Sequence, residues 1–455
     1  MKIVIDLQSL QSSSKNRGIG HYTKSLLTQI SSDWSDHEVI LLLNRFDKKN
    51  IEDLCFEHED FFTQFKVVFF EGLNGSVESS QEYLTRVKLS EELRHTAIEA
   101  LNPDVVLITS LIEGGSEEFA CSIPKVRNYK VGVIGYDLIP LINPDMHLVI
   151  PNVKQWYMRK VNQFHNADII FAISDSARSE FIEYLNISPN SVVNISSACS
   201  QDYFEDVEES ERKRCLEKIG INSHYILYSG ACDERKNLFR LIEAYSKLDE
   251  SIIENNKLAL VGRYSEVDKK LLSKYVKKCG LSSGNIIYTG YISNRELNVL
   301  YSKCSLFVFP SLHEGFGLPV LEAMTCGAPV ICSNTSSLPE VIGIESAMFD
   351  PENVKEIRDL MQLVLTNSDK KKELLENAEV RKLLFSWKIT TNRILEHFLD
   401  MKVGYSSDSL VSDAEKHMIE KLTEKCDELN ASDTLMREVA CSISANSQYI
   451  KNNYL

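Results

Sequence analysis

Two glutamates, Glu314 and Glu322, lie eight residues apart in the run His313-Glu314-Gly315-Phe316-Gly317-Leu318-Pro319-Val320-Leu321-Glu322-Ala323-Met324. A carboxylate accepts hydrogen bonds from both hydroxyls of a vicinal diol, so the pair suits a ligand rich in hydroxyls. The stretch between them points to a second chemistry. Leu306-Phe307-Val308-Phe309 reads as a buried strand ending at Pro310. Pro319 suits the first position of a helix and Gly327 its C-terminal cap, which predicts Glu322 in the first helical turn and Glu314 on the loop before it. A strand, a glycine-bearing loop and a helix N-terminus leave backbone N–H groups unpaired, and with the helix dipole they favour an anion. One acid on a ribose, one on a hexose and a diphosphate between them accounts for all three features. Read singly, either glutamate is equally well an ordinary acid of a loop or helix end.

A diphosphate needs cations, and Arg235 and Lys236 are adjacent in the turn Gly230-Ala231-Cys232-Asp233-Glu234-Arg235-Lys236-Asn237-Leu238. This turn joins the strand-like Tyr225–Ser229 to a helical pattern of Leu238, Leu241, Ile242, Tyr245 and Leu248. A diphosphate leaving group gains charge as its bond to a sugar carbon breaks, so fixed cations aid the transition state more than the ground state. Taken alone, the turn also reads as a solvated basic loop. Near the start, Arg17-Gly18-Ile19-Gly20-His21-Tyr22 follows a strand and opens a helix, and its glycines let backbone approach a ligand. It is not a dinucleotide fingerprint, because Thr23 stands at the third glycine position. Tyr136-Asp137 closes the strand Val131–Tyr136, at the sheet end where α/β proteins bind ligands. There Asp137 orients a hydroxyl, or caps the turn after it. Gly262-Arg263 and Gly290-Tyr291-Ile292 follow two further strands, and Ser174 ends another. Arg263 reads equally as a surface residue. No Asp-x-Asp pair occurs, which predicts that cations and helix ends hold the diphosphate without a metal.

Positioning these segments requires parallel strands that end side by side. Short apolar runs alternate with longer helical patterns, the mark of βαβ architecture. The first half offers Ile3–Leu7, Val39–Leu43, Val67–Phe70, Val105–Thr109, Val131–Tyr136 and Ile169–Ser174. The second offers Tyr225–Ser229, Leu258–Val261, Ile286–Thr289, Leu306–Phe309 and Val330–Ser333. The charged Gln201–Gly220 between them reads as a connection with a surface helix. A length of 455 residues suits two domains. Hydrophobic and charged fractions of 43% and 25% are those of a globular protein, and a net charge of −15 argues against a general nucleic-acid binder. The 11 cysteines form no Cys-x-x-Cys pair, and several sit in apolar runs such as Val330-Ile331-Cys332, as reduced thiols of a cytoplasmic protein do. Met1-Lys2-Ile3-Val4-Ile5-Asp6 enters a strand directly, which predicts no signal peptide. No apolar stretch approaches the ~18 residues of a membrane helix.

The span Glu314–Glu322 resembles the Glu-x7-Glu motif of the retaining, nucleotide-sugar-dependent glycosyltransferases of family 4 (glycosyl transferases group 1), and the likeness runs from the first strand to about residue 403. The resemblance implies the α/β GT-B fold, two Rossmann-like domains facing across a cleft. Residues 1–205 would be the acceptor-side domain and 206–385 the nucleotide-sugar domain. Residues 386–403, led by Phe385-Ser386-Trp387, would be a crossover helix bracing the first domain. The acidic tail 404–455, with Met418, Leu422 and Leu429 at helical spacing, lies outside the likeness and reads as a lid, oligomerisation or partner helix. Catalytic duties fall by resemblance to Glu314, Asp137, Lys236 and Arg235. Glu314 would grip the donor sugar, Glu322 the ribose, and Arg235 with Lys236 the diphosphate. Gly18 and Gly20 would lie against the donor phosphates, as would the loop Gly315, Phe316, Gly317 and Leu318, while the backbone of Tyr291 and Ile292 reads the base. No cofactor beyond the nucleotide-sugar co-substrate and no metal is implied. The chain departs from the family pattern at Ala231, where an arginine is frequent, and at Tyr136, where many members have histidine.

The function implied is transfer of a hexose to a glycan or lipid-linked glycan. The Arg-Lys-Asn turn and Asp137-Leu138-Ile139-Pro140 resemble bacterial mannosyltransferases that build surface polysaccharides, commonly from GDP-mannose, with UDP-sugars and dTDP-rhamnose open. A glycosidase also uses two acids but needs neither anion-binding helix ends nor paired cations. The departures at Ala231 and Tyr136 keep a catalytically silent subunit open. A lipid-linked acceptor implies peripheral contact at the inner face of the cell membrane, for which Lys154-Gln155-Trp156-Tyr157-Met158-Arg159-Lys160 mixes aromatic and basic residues. That stretch reads also as an ordinary domain helix with a solvated basic face.

Overall fold

Runs such as Ile40-Leu41-Leu42-Leu43 are apolar on both faces, as strands covered by helices on each side require. In the computed structural model, which describes residues 1–45, 54, 63–78, 83–204, 206–401 and 414–454, these runs build two parallel sheets. Each sheet belongs to its own compact unit, one of residues 1–173, 178–195 and 388–455, the other of 174–177 and 196–387.

In the first unit β1 (Lys2–Asp6), β2 (Glu38–Asn44), β3 (Lys66–Phe70), β4 (Val105–Ile108), β5 (Lys130–Gly135), β6 (Ile169–Ala172) and β7 (Val192–Asn194) lie in the order β3-β2-β1-β4-β5-β6-β7. In the second, β8 (His224–Ser229), β9 (Asn256–Val261), β10 (Ile286–Gly290), β11 (Leu306–Phe309), β12 (Val330–Ser333) and β13 (Met348–Phe349) lie in the order β10-β9-β8-β11-β12-β13. The winding direction reverses between β1 and β4 and between β8 and β11. Doubly wound sheets open a ligand crevice at the carboxyl ends of strands at such a reversal. The apolar runs picked out in the sequence account for every strand except β7 and β13. Those two are edge strands of three and two residues, too short to carry a pattern.

The helices of the first unit include α1 (Gly18–Asp33), α2 (Leu84–Leu101), α3 (Pro151–Asn162) and, after a return from the second unit, α7 (Trp387–Met401). Phe398 of α7 meets Phe171 of β6 edge-on at 5.4 Å. The approach is possible because β5 carries Gly132, where a Cβ would stand 2.5 Å from Phe171 and 2.8 Å from Phe398.

Residues 404–413 and 455 of the tail lie outside the described residues. The remainder is a pair of helices, α8 (Ala414–Glu428) and α9 (Asp433–Tyr454), integral to the first unit. Met418, Leu422, Cys426, Leu435, Val439 and Ile443 share one buried cluster with Leu73, Leu89 and Leu93. Arg86 of α2 grips Glu438 through two nitrogens at 2.6 and 3.0 Å.

The stretch Lys154–Lys160 forms the middle of α3, with Lys154 and Gln155 exposed and Tyr157 and Lys160 turned inward. Tyr157 is buried, and a Cβ on Gly115 would press the Trp156 ring at 3.2 Å. Lys160 is fully buried, 2.6 Å from Glu78 and donating to the Cys121 carbonyl, while Arg159 pairs with Glu78 and Glu91. Burial pushes the Glu78 carboxyl up despite Lys160 beside it.

Candidate functional site

The second unit's reversal point is built from the turns leaving β8 and β11. After β11 the chain runs through Pro310 to Gly317, which caps α6 (Leu318–Thr325) with φ at 101°. Only glycine suits this place, because the backbone is left-handed and a Cβ would sit 2.5 Å from Leu338 Cδ2. The left-handed cap starts the helix one residue before Pro319, so Glu322 falls in the second turn. The expectation of an acid in the first turn is corrected: the first turn holds none, and the dipole is not what settles Glu322. Among the described residues the N–H groups of Gly315, Phe316 and Gly317 meet no acceptor in the chain. Phe316 packs edge-on against Phe385 at 5.6 Å and pins the loop.

The turn after β8 reaches this loop. Glu314 receives Lys236 Nζ on Oε1 at 2.6 Å and Arg235 Nη1 on Oε2 at 3.0 Å. Arg235 also donates to the His313 carbonyl at 2.6 Å, and Lys236 lies 5.2 Å from the centre of the Phe309 ring. Burial raises the Glu314 carboxyl, but Lys236 and Arg235 outweigh it and hold the pKa below the ordinary value. Asp233 also lies 3.6 Å from Arg235 Nε, so two carboxylates hold the two cations in place beside the unpaired amides. Ser336 and Ser337 fix the Glu314 backbone, one accepting from its N–H and the other donating to its carbonyl.

Asn237 is named in the sequence only as part of the Arg-Lys-Asn turn, with no role of its own. Its φ of 57° lets the turn close onto α4 (Leu238–Ser246), and its side chain donates to the carbonyls of Pro310 at 3.0 Å and Pro351 at 2.7 Å. An Asn that tolerates left-handed backbone and carries two donors was the available signal.

Glu322 has different company. The Tyr301 phenol, on α5 (Asn294–Lys303), lies 3.1 Å from Oε2, and the Tyr203 phenol faces the same carboxylate. No cation offsets burial, which pushes this carboxyl up to about 7. Neither tyrosine belongs to the motif, so spacing alone did not point to them. At the ends of β9 and β10, Arg263 stacks over Tyr291 at 4.4 Å, leaving Tyr291 72% exposed beside Ile292. Ala231 brings no cation; its carbonyl accepts from Tyr228. Ser174 belongs to this unit and donates to the Gly315 carbonyl at 2.6 Å.

The remaining residues lie in the first unit. Gly20 is demanded by packing, since a Cβ there would fall 2.3 Å from the Lys15 carbonyl, whereas Gly18 at the start of α1 has open space around it. Tyr136 donates to the Thr109 carbonyl at 3.0 Å and meets Tyr22 edge-on at 5.4 Å. Burial pushes its phenol up. Asp137 accepts from the Ile139 N–H at 3.1 Å, the turn-capping alternative read from the sequence. Among the described residues no three His, Cys, Asp or Glu side chains gather as a metal site.

Two Rossmann-like sheets, a helix returning to the first unit and paired cations at the second sheet's reversal define a GT-B glycosyltransferase fold. Solved structures agree. The Anabaena protein HepE, in complex with UDP and glucose, matches with a TM-score of 0.63 at 16% identity, over 88% of this chain and 100% of that one. WaaG, a glycosyltransferase involved in lipopolysaccharide biosynthesis, matches with a TM-score of 0.60 at 14% identity, over 87% of this chain and 99% of that one. The glycosyl transferases group 1 family matches residues 211–381. The serotype-specific mannosyltransferase WbdA of Escherichia coli is 38% identical over 401 residues, 88% of this chain and 48% of the relative. The O-antigen chain mannosyltransferase B of Escherichia coli is 33% identical over 266 residues, 58% of this chain and 68% of the relative. The chain belongs to the glycosyl transferases group 1 family. It spans about half the length of its WbdA relatives.

Proposed function

We propose that this protein is a retaining, metal-independent hexosyltransferase of family 4 that moves mannose from GDP-mannose to a glycan or lipid-linked glycan during surface polysaccharide synthesis, in the cytoplasm or at the inner face of the cell membrane. The observation that carries the reading is the Arg235–Lys236–Glu314 cluster, two cations fixed beside the unpaired amides of Gly315, Phe316 and Gly317. The names of the Escherichia coli relatives support mannose as the sugar.

In this mechanism the donor's diphosphate lies between the amides and the two cations. As the bond from the sugar's anomeric carbon to the phosphate oxygen breaks, its electrons pass to that oxygen, and Lys236 and Arg235 stabilise the growing charge. The acceptor hydroxyl attacks from the face the phosphate leaves and gives its proton to the departing oxygen, so no enzyme nucleophile is used. Glu314 holds both cations in place and accepts from a sugar hydroxyl, and Glu322 accepts from the ribose.

A thermal-shift panel of GDP-, UDP- and dTDP-sugars identifies the donor, and transfer of labelled sugar to a polysaccharide primer then reads turnover. GDP-mannose is expected to stabilise the protein most, and excess EDTA to leave transfer intact. Glu314→Ala should abolish transfer, and unchanged turnover in that variant overturns the assignment of Glu314. No transfer from any donor identifies a silent subunit.

A further inference from the structure

Glu322 is a carboxylate with no cation to hold it. The titratable groups facing it are Cys199, Tyr203, Tyr301 and Cys326. A glutamate has three side-chain torsions, and a free one would sample several directions. Here the Tyr301 phenol donates to Oε2 at 3.1 Å, and the Tyr203 phenol faces the same carboxylate. Tyr301 cannot swing away. It is fully buried and packs edge-on against Phe307 at 5.2 Å and beside Tyr203 at 6.1 Å. A hydrogen bond thus ties α5 to α6 through a phenol that its packing holds still. A carboxylate has about four lone-pair sites, so two phenols leave room for a diol.

We propose that Tyr301, with Tyr203, is a positioning residue that aims the Glu322 carboxylate at the donor's ribose. The inference rests on the reading of Glu322 as the ribose acid.

Calorimetric titration with GDP and 2′,3′-dideoxy-GDP, alongside the matching UDP pair, measures what the ribose hydroxyls contribute. The native protein should prefer the ribo form by about tenfold or more, and Glu322→Gln should remove most of that preference. Tyr301→Phe keeps the ring that fills the core and should cut the preference roughly three- to tenfold, leaving dideoxy affinity within about twofold. Tyr203→Phe should act in the same direction and carries the test if the first variant does not fold. Equal loss for ribo and dideoxy forms marks the tyrosines as structural, and an unchanged preference marks them as idle. Either result overturns their role while Glu322 keeps its own. No preference in the native protein, full preference in Glu322→Gln, or no binding of either nucleotide overturns the Glu322 reading and the tyrosine role with it.

Discussion

Glu314 sits where its charge subtracts from that of Arg235 and Lys236, so it sets what the pair can offer an anion. Neutralising it separates binding from catalysis. In Glu314→Gln, nucleoside diphosphate should bind at least as tightly as before, while transfer falls on the order of 10²-fold or more, because both cations lose the group that aims them. Equilibrium titration with single-turnover assays reads the two effects apart. Glu322 gives the opposite electrostatic case. With its carboxyl at about 7 against an ordinary 4.5, it is largely protonated at pH 6 and ionised at pH 8. An ionised carboxylate is the stronger acceptor, so affinity for a ribonucleotide should rise across that interval. The phenols and thiols facing it are all pushed upward by burial and stay neutral there. Affinity that stays flat from pH 6 to 8 contradicts this assignment. The sign for folding is reversed. A carboxyl held above its unfolded value favours the folded state at low pH, and that contribution is lost as pH rises from 4.5 through about 7.

The tail helices α8 and α9 are held by burial, with Leu422 fully enclosed between Leu89, Leu93 and its own neighbours. Leu422→Ala should destabilise the first unit by about 2–5 kcal/mol and leave nucleotide affinity unchanged, which denaturant unfolding and titration together can test. Gly317 joins a loop to a helix through a left-handed residue packed on Leu338. Gly317→Ala should lower transfer as the loop shifts, with a loss larger than any change in melting temperature. The elements also show where sequence reading stops. The buried strands and the β8 and β11 turns were legible because apolar runs and glycine–proline punctuation are local signals. Asn237, Tyr203 and Tyr301 were not, because each acts across tens of residues on a partner only folding supplies. For the same reason Arg159 and Lys160 of α3 read as surface residues: nothing local reveals that Glu78 and Glu91 face them.

The molecule carries two sheets, each in its own compact unit, and a net charge of −15. Independent cores predict two calorimetric transitions on heating. A donor nucleotide should raise only the second unit's transition, since ligand stabilises what it binds, and Leu422→Ala should lower only the first unit's. A single transition moved equally by both would contradict this division.

The first unit also closes around residues from both ends of the chain, with 196–387 intervening before 388–455 return to it. During synthesis, then, Leu73, Leu89 and Leu93 emerge long before Met418, Leu422 and Val439 exist to cover them. The nascent first unit carries a bare apolar face for the whole time the second is being made. Its completion is a late, long-range closure, slow by topology and exposed to aggregation until the last helices arrive.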